Sequence, residues 1–128
     1  MSRWLSDEWF DEVRVLGSGL SGSPGLTARI QQLITGGPDG DVSCFWVLED
    51  GRPTLGAVGT VDAPDVTVTL SWSDAATIQT GALDASVAFM QGRMKVTGSM
   101  ALAMDLLSAA RGPECQGVQR QVAELTDF

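Results

Sequence analysis

Residues 88–104, AFMQGRMKVTGSMALAM, join three short elements and decide the fold. The residues up to Gln91 are typical of a helix end, and Gly92 is placed to stop that helix. Residues 93–97 alternate polar and apolar side chains, which predicts a strand, and Gly98 turns the chain into a second helix. Four of the five methionines lie in this stretch. Because methionine fills irregular apolar space, we expect an adaptable apolar pocket here.

The segments on either side predict a sheet with helices gathered over one face. Residues 66–72 have alternating apolar and polar side chains, which is the pattern of a strand with one covered face. Further strands are predicted at residues 27–35, 42–49 and 54–61, and helices at residues 74–80, 84–91 and 99–110. This order indicates the α+β class.

The two ends of the chain are expected to be helical or irregular. A helix is predicted at residues 6–16, with Ser6 as its cap and an unusual aromatic content. We favour its docking on the core, and a lid over a pocket is the alternative.

Residues 17–25 contain a G-x-G-x-x-G pattern, but a helix precedes it, so a linker is favoured over a nucleotide loop. Residues 113–128 form a polar tail with one or two amphipathic turns, for which docking and fraying are both open. The chain is expected to be one domain, 1–128, with its core at 26–112.

The charge of the chain limits its partners. Eight basic and sixteen acidic residues give a net charge of −8. Such a chain repels nucleic acid and anionic membranes at long range, so we expect no nucleic-acid partner and only weak or transient membrane contact. We find neither an apolar signal sequence at the start nor an apolar run of about 20 residues. A cytoplasmic location is the expectation.

The residue types limit the chemistry. The chain has no histidine, which removes the commonest general base and zinc ligand. Its two cysteines, Cys44 and Cys115, are expected to be reduced thiols. Carboxylates such as Asp84 occupy caps and turns, and none falls within an apolar strand face. We expect no catalytic residue, no metal and no cofactor.

Two questions stay open at this point. The apolar residues predicted to face inwards form either a filled core or the wall of a hollow one, because periodicity does not distinguish the two. Arg93 and Lys95 are favoured as a solvated strand face, and cations at a pocket mouth are the alternative. Gln91 caps a helix end or hydrogen-bonds a ligand hydroxyl.

Three blocks of the sequence resemble the sterol carrier protein type 2 family, the sterol-binding domain. They are DVTVTL at 65–70, GALD at 81–84 and the block from Ala88 to Met104. The resemblance covers roughly residues 26–108. The chain departs from the animal members of the family, because it closes on Leu125-Thr126-Asp127-Phe128 without a peroxisomal targeting ending and is acidic. Its short strands and Gly-rich turns suggest a compact bacterial member.

This resemblance implies a fold and a function. The implied fold is a five-stranded mixed, mainly antiparallel sheet with helices packed on one face, enclosing an apolar tunnel. The implied function is reversible, non-enzymatic binding of fatty acids, acyl-CoA, sterols or similar lipids. Under this resemblance, several apolar residues that would otherwise be assigned to the core are expected to line the tunnel. The predicted lipid-binding residues are Leu70, Trp72, Ile78, Leu83, Phe89, Met90, Gln91, Met94, Met100, Ala103, Met104 and Leu107.

The leading hypothesis is a small lipid carrier that presents its ligand to a membrane or to a lipid-metabolising enzyme. One alternative is an enzyme or accessory protein that uses the same cavity and relies on carboxylates, Lys95 or Cys44. Another is an interaction module whose apolar face, from Met100 to Leu107, binds a partner helix or a second copy. Both a monomer and a homodimer are compatible with these hypotheses.

Overall fold

The computed structural model describes residues 2–22 and 24–127. Ser23 of the predicted linker and Phe128 of the predicted tail lie outside the described residues, as does Met1.

A five-stranded mixed sheet forms one layer of the molecule. After a short β1 (Ser2–Arg3) outside this sheet, its strands are β2 (Ala28–Gly37), β3 (Gly40–Glu49), β4 (Arg52–Val58), β5 (Val66–Ser71) and β6 (Met94–Gly98). They follow the spatial order β4-β3-β2-β5-β6, and β2 pairs with β5 in parallel while the other three pairings are antiparallel. The α+β prediction is therefore confirmed.

Among the described residues, five helices form the other layer. The first begins after Ser6, whose hydroxyl accepts a hydrogen bond from the Trp9 amide at 3.2 Å, as the cap prediction requires. None of the helices in the described ranges is both long and apolar enough to cross a membrane. They are α1 (Asp7–Gly17), α2 (Trp72–Gln79), α3 (Ala85–Met90), α4 (Met100–Ala110) and α5 (Pro113–Leu125).

The stretch at residues 88–104 folds as its glycines predict. Gly92 follows α3 with a φ of +75°, and Gly98 ends β6 with a φ of +101°. A side chain at Gly98 would collide with the carbonyl of Asp65, because β6 and the start of β5 approach closely there. The chain therefore reverses twice within these residues and places β6 between α3 and α4.

The tail is more ordered than the sequence predicts. Residues Pro113–Leu125 form one 13-residue helix, α5, instead of a turn or two. The Gln119 side chain donates to the carbonyl of Ile78 at 2.6 Å, and Val122 is buried. After α5, the two-residue strand β7 (Thr126–Asp127) pairs in parallel with β1, so residues 2–3 and 126–127 lie side by side.

One predicted strand ends earlier than expected. Trp72 was expected to share a strand face with Leu70, but the strand stops at Ser71, whose hydroxyl caps α2 by accepting from the Asp74 amide at 3.1 Å. Trp72 is the first residue of α2, and its ring packs against Trp4 with centroids 4.6 Å apart. A serine cap therefore overrides the period-two pattern of the strand.

Candidate functional site

A cavity of about 350 Å³ lies between the sheet and the helices. Residues from four strands and four helices meet around it. Its volume falls within the range of small-molecule sites in proteins. The cavity is lined by Trp4, Leu5, Trp9, Val13, Ile30, Gln32, Ile34, Trp46, Val66, Val68, Leu70, Ala75, Ile78, Gln79, Ala85, Met94, Val96, Ala103, Leu106 and Leu107.

The floor of this cavity is one face of the sheet. Side chains of a strand point alternately to its two faces, so Ile30, Gln32 and Ile34 of β2 point the same way. Gln32 pairs with Cys44 on one side and with Val68 on the other. It is therefore a polar residue in an otherwise apolar floor.

The amide of Gln32 is held by the neighbouring thiol. The Cys44 Sγ donates to Gln32 Oε1 at 3.3 Å. Burial raises the pKa of the Cys44 thiol to about 11, so the sulfur keeps the proton that it donates. Cys44 acts here as a neutral donor and not as a reactive thiolate.

Aromatic residues of the N-terminal segment close one side of the cavity. Trp9 and Phe10 are buried, and their rings contact Trp46 of β3 with centroids 6.1 and 5.1 Å away. Trp9 Nε1 donates to the Thr126 hydroxyl at 2.8 Å, which ties α1 to the end of α5. The N-terminal helix is thus docked and at the same time forms a wall.

This wall is what the sequence-based site missed. The residues concerned are Trp4, Leu5, Trp9 and Val13, whereas the sequence favours docking of the N-terminal helix on the core. Sequence periodicity places Trp9 and Val13 on one face of that helix. It carries no information about whether that face meets other side chains or an open space.

A second cavity, of about 590 Å³, adjoins the first. Ile78, Gln79, Ala85 and Leu107 line both of them. Its other residues are mostly polar and come mainly from the α2–α3 loop, the end of α4 and α5. They include Asp84, Gln116, Gln119, and the guanidinium-bearing Arg111 and Arg120.

Five of the twelve residues predicted to bind lipid line the first cavity: Leu70, Ile78, Met94, Ala103 and Leu107. Leu83 lines the second cavity, and Trp72 lines a third, polar-edged cavity beside Trp4. Phe89 packs against the core without lining any of the three. Gln91 is exposed at the end of α3.

The remaining three methionines face outwards. Met90 is 78% exposed, Met100 45% and Met104 41%. In α3, which has only six residues, Ala88 is the residue turned to the core. In α4 the residues that line the cavity are 103, 106 and 107. The inner face is therefore rotated away from positions 100 and 104.

The charged residues singled out from the sequence lie elsewhere. Arg93 lies 4.0 Å from the carboxylate of Asp74, and Asp84 caps α3 through the amides of Ser86 and Val87. Lys95 is exposed and, like Arg93, lines none of the three cavities. Within residues 2–22 and 24–127, no group of three or more acidic or cysteine side chains is arranged to hold a metal ion.

The sequence matches a family model and two characterised proteins. The model of the SCP-2 sterol transfer family matches residues 24–111. The chain is 38% identical over 71 residues to peroxisomal multifunctional enzyme A of Dictyostelium discoideum, a match that covers 52% of this chain and 16% of that protein. It is 33% identical over 75 residues to sterol carrier protein 2 of Gallus gallus, covering 57% of this chain and 13% of that protein. The match spans about a sixth or less of either relative.

The fold is also similar to solved structures. A crystal structure of sterol carrier protein 2 superposes with a TM-score of 0.75 at 14% identity, over 94% of this chain and 100% of that one. The solution structure of palmitated SCP2L2 from Aedes aegypti gives a TM-score of 0.66 at 23% identity, over 84% of this chain and 96% of that one. At these identities the likeness concerns the fold.

Proposed function

The chain belongs to the SCP-2 sterol transfer family, and from this premise we propose that it binds an apolar lipid in the cavity between sheet and helices and carries it without chemical change. The observation that carries the proposal is the wall of that cavity, which consists of aliphatic, aromatic and methionine side chains apart from two glutamines. Each buried CH₂ group of a ligand contributes about 0.8 kcal/mol. A single acyl chain therefore binds usefully after the cost of immobilisation.

The relatives support this ligand class. One matched protein is named a sterol carrier, and one similar fold was solved in a palmitated form. Fatty acids, acyl-CoA and sterols are the proposed ligand range. Leu70, Ile78, Met94, Ala103 and Leu107 are the predicted site residues that contact the ligand in this proposal.

The proposed setting of the carrier is a reducing cytoplasm, which its free thiols support. Cys44 and Cys115 are free, as in proteins of a reducing cytoplasm. The proposed partners are a lipid-metabolising enzyme and a membrane that is touched only briefly. An accessory role to an enzyme is the second candidate, because one matched relative is a multifunctional enzyme of which this chain matches a small part.

Binding is tested with the intrinsic fluorescence of the cavity wall. Trp4, Trp9 and Trp46 line the cavity, so a ligand that enters it changes their emission. Native mass spectrometry of the freshly purified chain should show a bound lipid. Titration with palmitate and with cholesterol then gives the affinity for each.

A matched pair of variants locates the ligand. Ala103 lines the cavity and is buried, whereas Ala101 of the same helix is exposed. Ala103→Phe adds a six-carbon ring that displaces at least two methylene groups of a ligand, so we expect a loss of about tenfold or more in affinity. Ala101→Phe should bind as the unchanged protein does. No emission change with any lipid, together with no copurified lipid, would contradict the proposal.

A further inference from the structure

Gln32 has an unusual place in the cavity. The inward row of the central strand β2 reads Ala28, Ile30, Gln32 and Ile34, so one amide interrupts a run of aliphatic side chains. The neighbouring strands add Trp46, Val68 and other apolar groups to the same floor. An amide in such a setting costs free energy unless both of its ends are hydrogen-bonded.

Only one end of this amide has a partner within the described residues. The oxygen of Gln32 accepts from Cys44, and its nitrogen, Nε2, makes no hydrogen bond there. Gln31, on the opposite face, differs. Its nitrogen donates to the carbonyls of Cys44 and Gly59 at 2.9 and 3.0 Å, and its oxygen accepts from the Val61 amide at 2.9 Å. Gln31 is satisfied by the protein, whereas Gln32 keeps two N–H donors for the contents of the cavity.

The cavity also has a definite electrostatic character. All of its lining residues in the described part of the chain are uncharged. A carboxylate or phosphate placed there would lose its hydration without meeting a cation, which is costly. The nearby cations, Arg111 and Arg120, line the second cavity instead. A charged head group is therefore more stable outside the apolar cavity.

We propose that Gln32 selects lipids that place an uncharged hydrogen-bond acceptor, such as a hydroxyl, ester or ketone oxygen, against its amide nitrogen inside the cavity. The inference rests on the proposed lipid binding and narrows it. Fatty acid anions bind with the head group in the second cavity and make no contact with Gln32. Hydrocarbons bind without satisfying the amide.

The test compares four ligands of one chain length: dodecane, dodecanol, methyl dodecanoate and dodecanoate at pH 8. Their affinities are measured by tryptophan emission for the unchanged protein, for Gln32→Leu and for Gln121→Leu. Gln121 is exposed on α5 and lines none of the three cavities, so the same substitution there is the matched control. Gln32→Leu should lower the affinity for dodecanol and for the ester by about twofold to tenfold. Dodecane should bind unchanged or more tightly, and dodecanoate should bind unchanged.

A second measurement does not depend on the variant. The carbonyl stretch of isotope-labelled methyl dodecanoate, bound to the unchanged protein, should shift to lower frequency as in a hydrogen-bonded ester. Gln32→Met, which keeps the length of the side chain, should remove this shift.

The outcomes separate the two proposals. Three outcomes would overturn the Gln32 inference. The first is that Gln32→Leu lowers the affinity for dodecanol no more than Gln121→Leu does, and the second is that Gln32→Leu lowers the affinity for dodecanoate as much as that for dodecanol. The third is an ester carbonyl stretch that is not shifted on binding. In each of these cases the other ligands still bind, and the carrier function stands. If none of the four ligands binds the unchanged protein, the proposed function itself fails.

Discussion

Cys44 shows how burial changes the chemistry of one residue. Its side chain has 0% exposure, and burial raises its pKa from the ordinary value of 9.0 to about 11. Between these two pH values the unfolded chain releases the thiol proton while the folded chain keeps it. The free energy of unfolding therefore falls as the pH rises from about 9 to 11, and the cysteine has no such effect below pH 9.

We expect this loss to reach about 2 to 3 kcal/mol across the window. It is measured as the urea midpoint, followed by tryptophan emission with a reductant present. The chain has no tyrosine, so few other groups titrate in this range. Cys44→Ala should remove most of the decline. Cys115→Ala should leave most of it, because Cys115 is only partly buried, although burial and the charge of Glu114 raise its pKa as well. A decline that persists in Cys44→Ala would assign it to another group.

At the scale of elements, one buried side-chain hydrogen bond links α1 to the end of α5. The Thr126 hydroxyl accepts from Trp9 Nε1 at 2.8 Å and donates to the carbonyl of Val122 at the end of α5. Thr126→Val keeps the shape of the side chain but leaves the indole N–H without its acceptor. We expect a loss of about 1 to 3 kcal/mol in the free energy of unfolding, measured by chemical denaturation. Amide exchange should become faster in both helices.

The control for this prediction is Thr97→Val. Thr97 is exposed on β6, so its replacement should change stability by no more than about 0.5 kcal/mol. Equal effects of the two substitutions would show that the hydroxyl of Thr126 is dispensable. Because Trp9 lines the cavity, Thr126→Val should also alter its emission in the absence of ligand.

The elements differ in how far the sequence predicts them. Residues 88–104 were predictable because Gly92 and Gly98 mark both ends of β6, and local backbone geometry requires glycine at each. The end of β5 was not, because Ser71 as a helix cap competes with an alternating pattern that continues to Trp72. Helix α5 was underestimated because its stability comes from docking, through Val122 and Gln119, and tertiary contacts leave little trace in local sequence.

The candidate site was predictable only in part for a related reason. Met104 and Leu107 are both apolar and lie one turn apart, yet only Leu107 lines the cavity. Three residues advance the side-chain direction by about 300°, so the two side chains point only about 60° apart, and sequence periodicity does not fix the rotation of a helix that closely. Gln32 went unnoticed because a single polar residue in a strand is ordinarily assigned to a solvated face.

At the scale of the whole molecule, the charge is unevenly distributed along the chain. Residues 1–84 carry four basic and twelve acidic side chains, whereas residues 85–128 carry four of each. The entire net charge of −8 therefore belongs to the first two thirds of the sequence. The C-terminal third contains the three exposed methionines, 90, 100 and 104, and is neutral. A charged membrane surface should consequently repel the molecule as a whole while leaving this third nearly unaffected.

This distribution predicts how salt affects delivery of a bound lipid. For anionic vesicles, the rate of transfer of a fluorescent fatty acid should rise as salt increases from about 0.1 M to 1 M, because the screening length shortens from about 10 Å to 3 Å. Transfer to zwitterionic vesicles serves as the control and should change little. Stopped-flow fluorescence with both acceptor vesicles at equal concentration measures this. If transfer to anionic vesicles were faster at low salt, a local basic surface such as that around Arg111 and Arg120 would govern the encounter, and the net charge would not. A rate independent of both salt and vesicle composition would instead indicate that the ligand leaves through water, since release would then precede any contact with the acceptor.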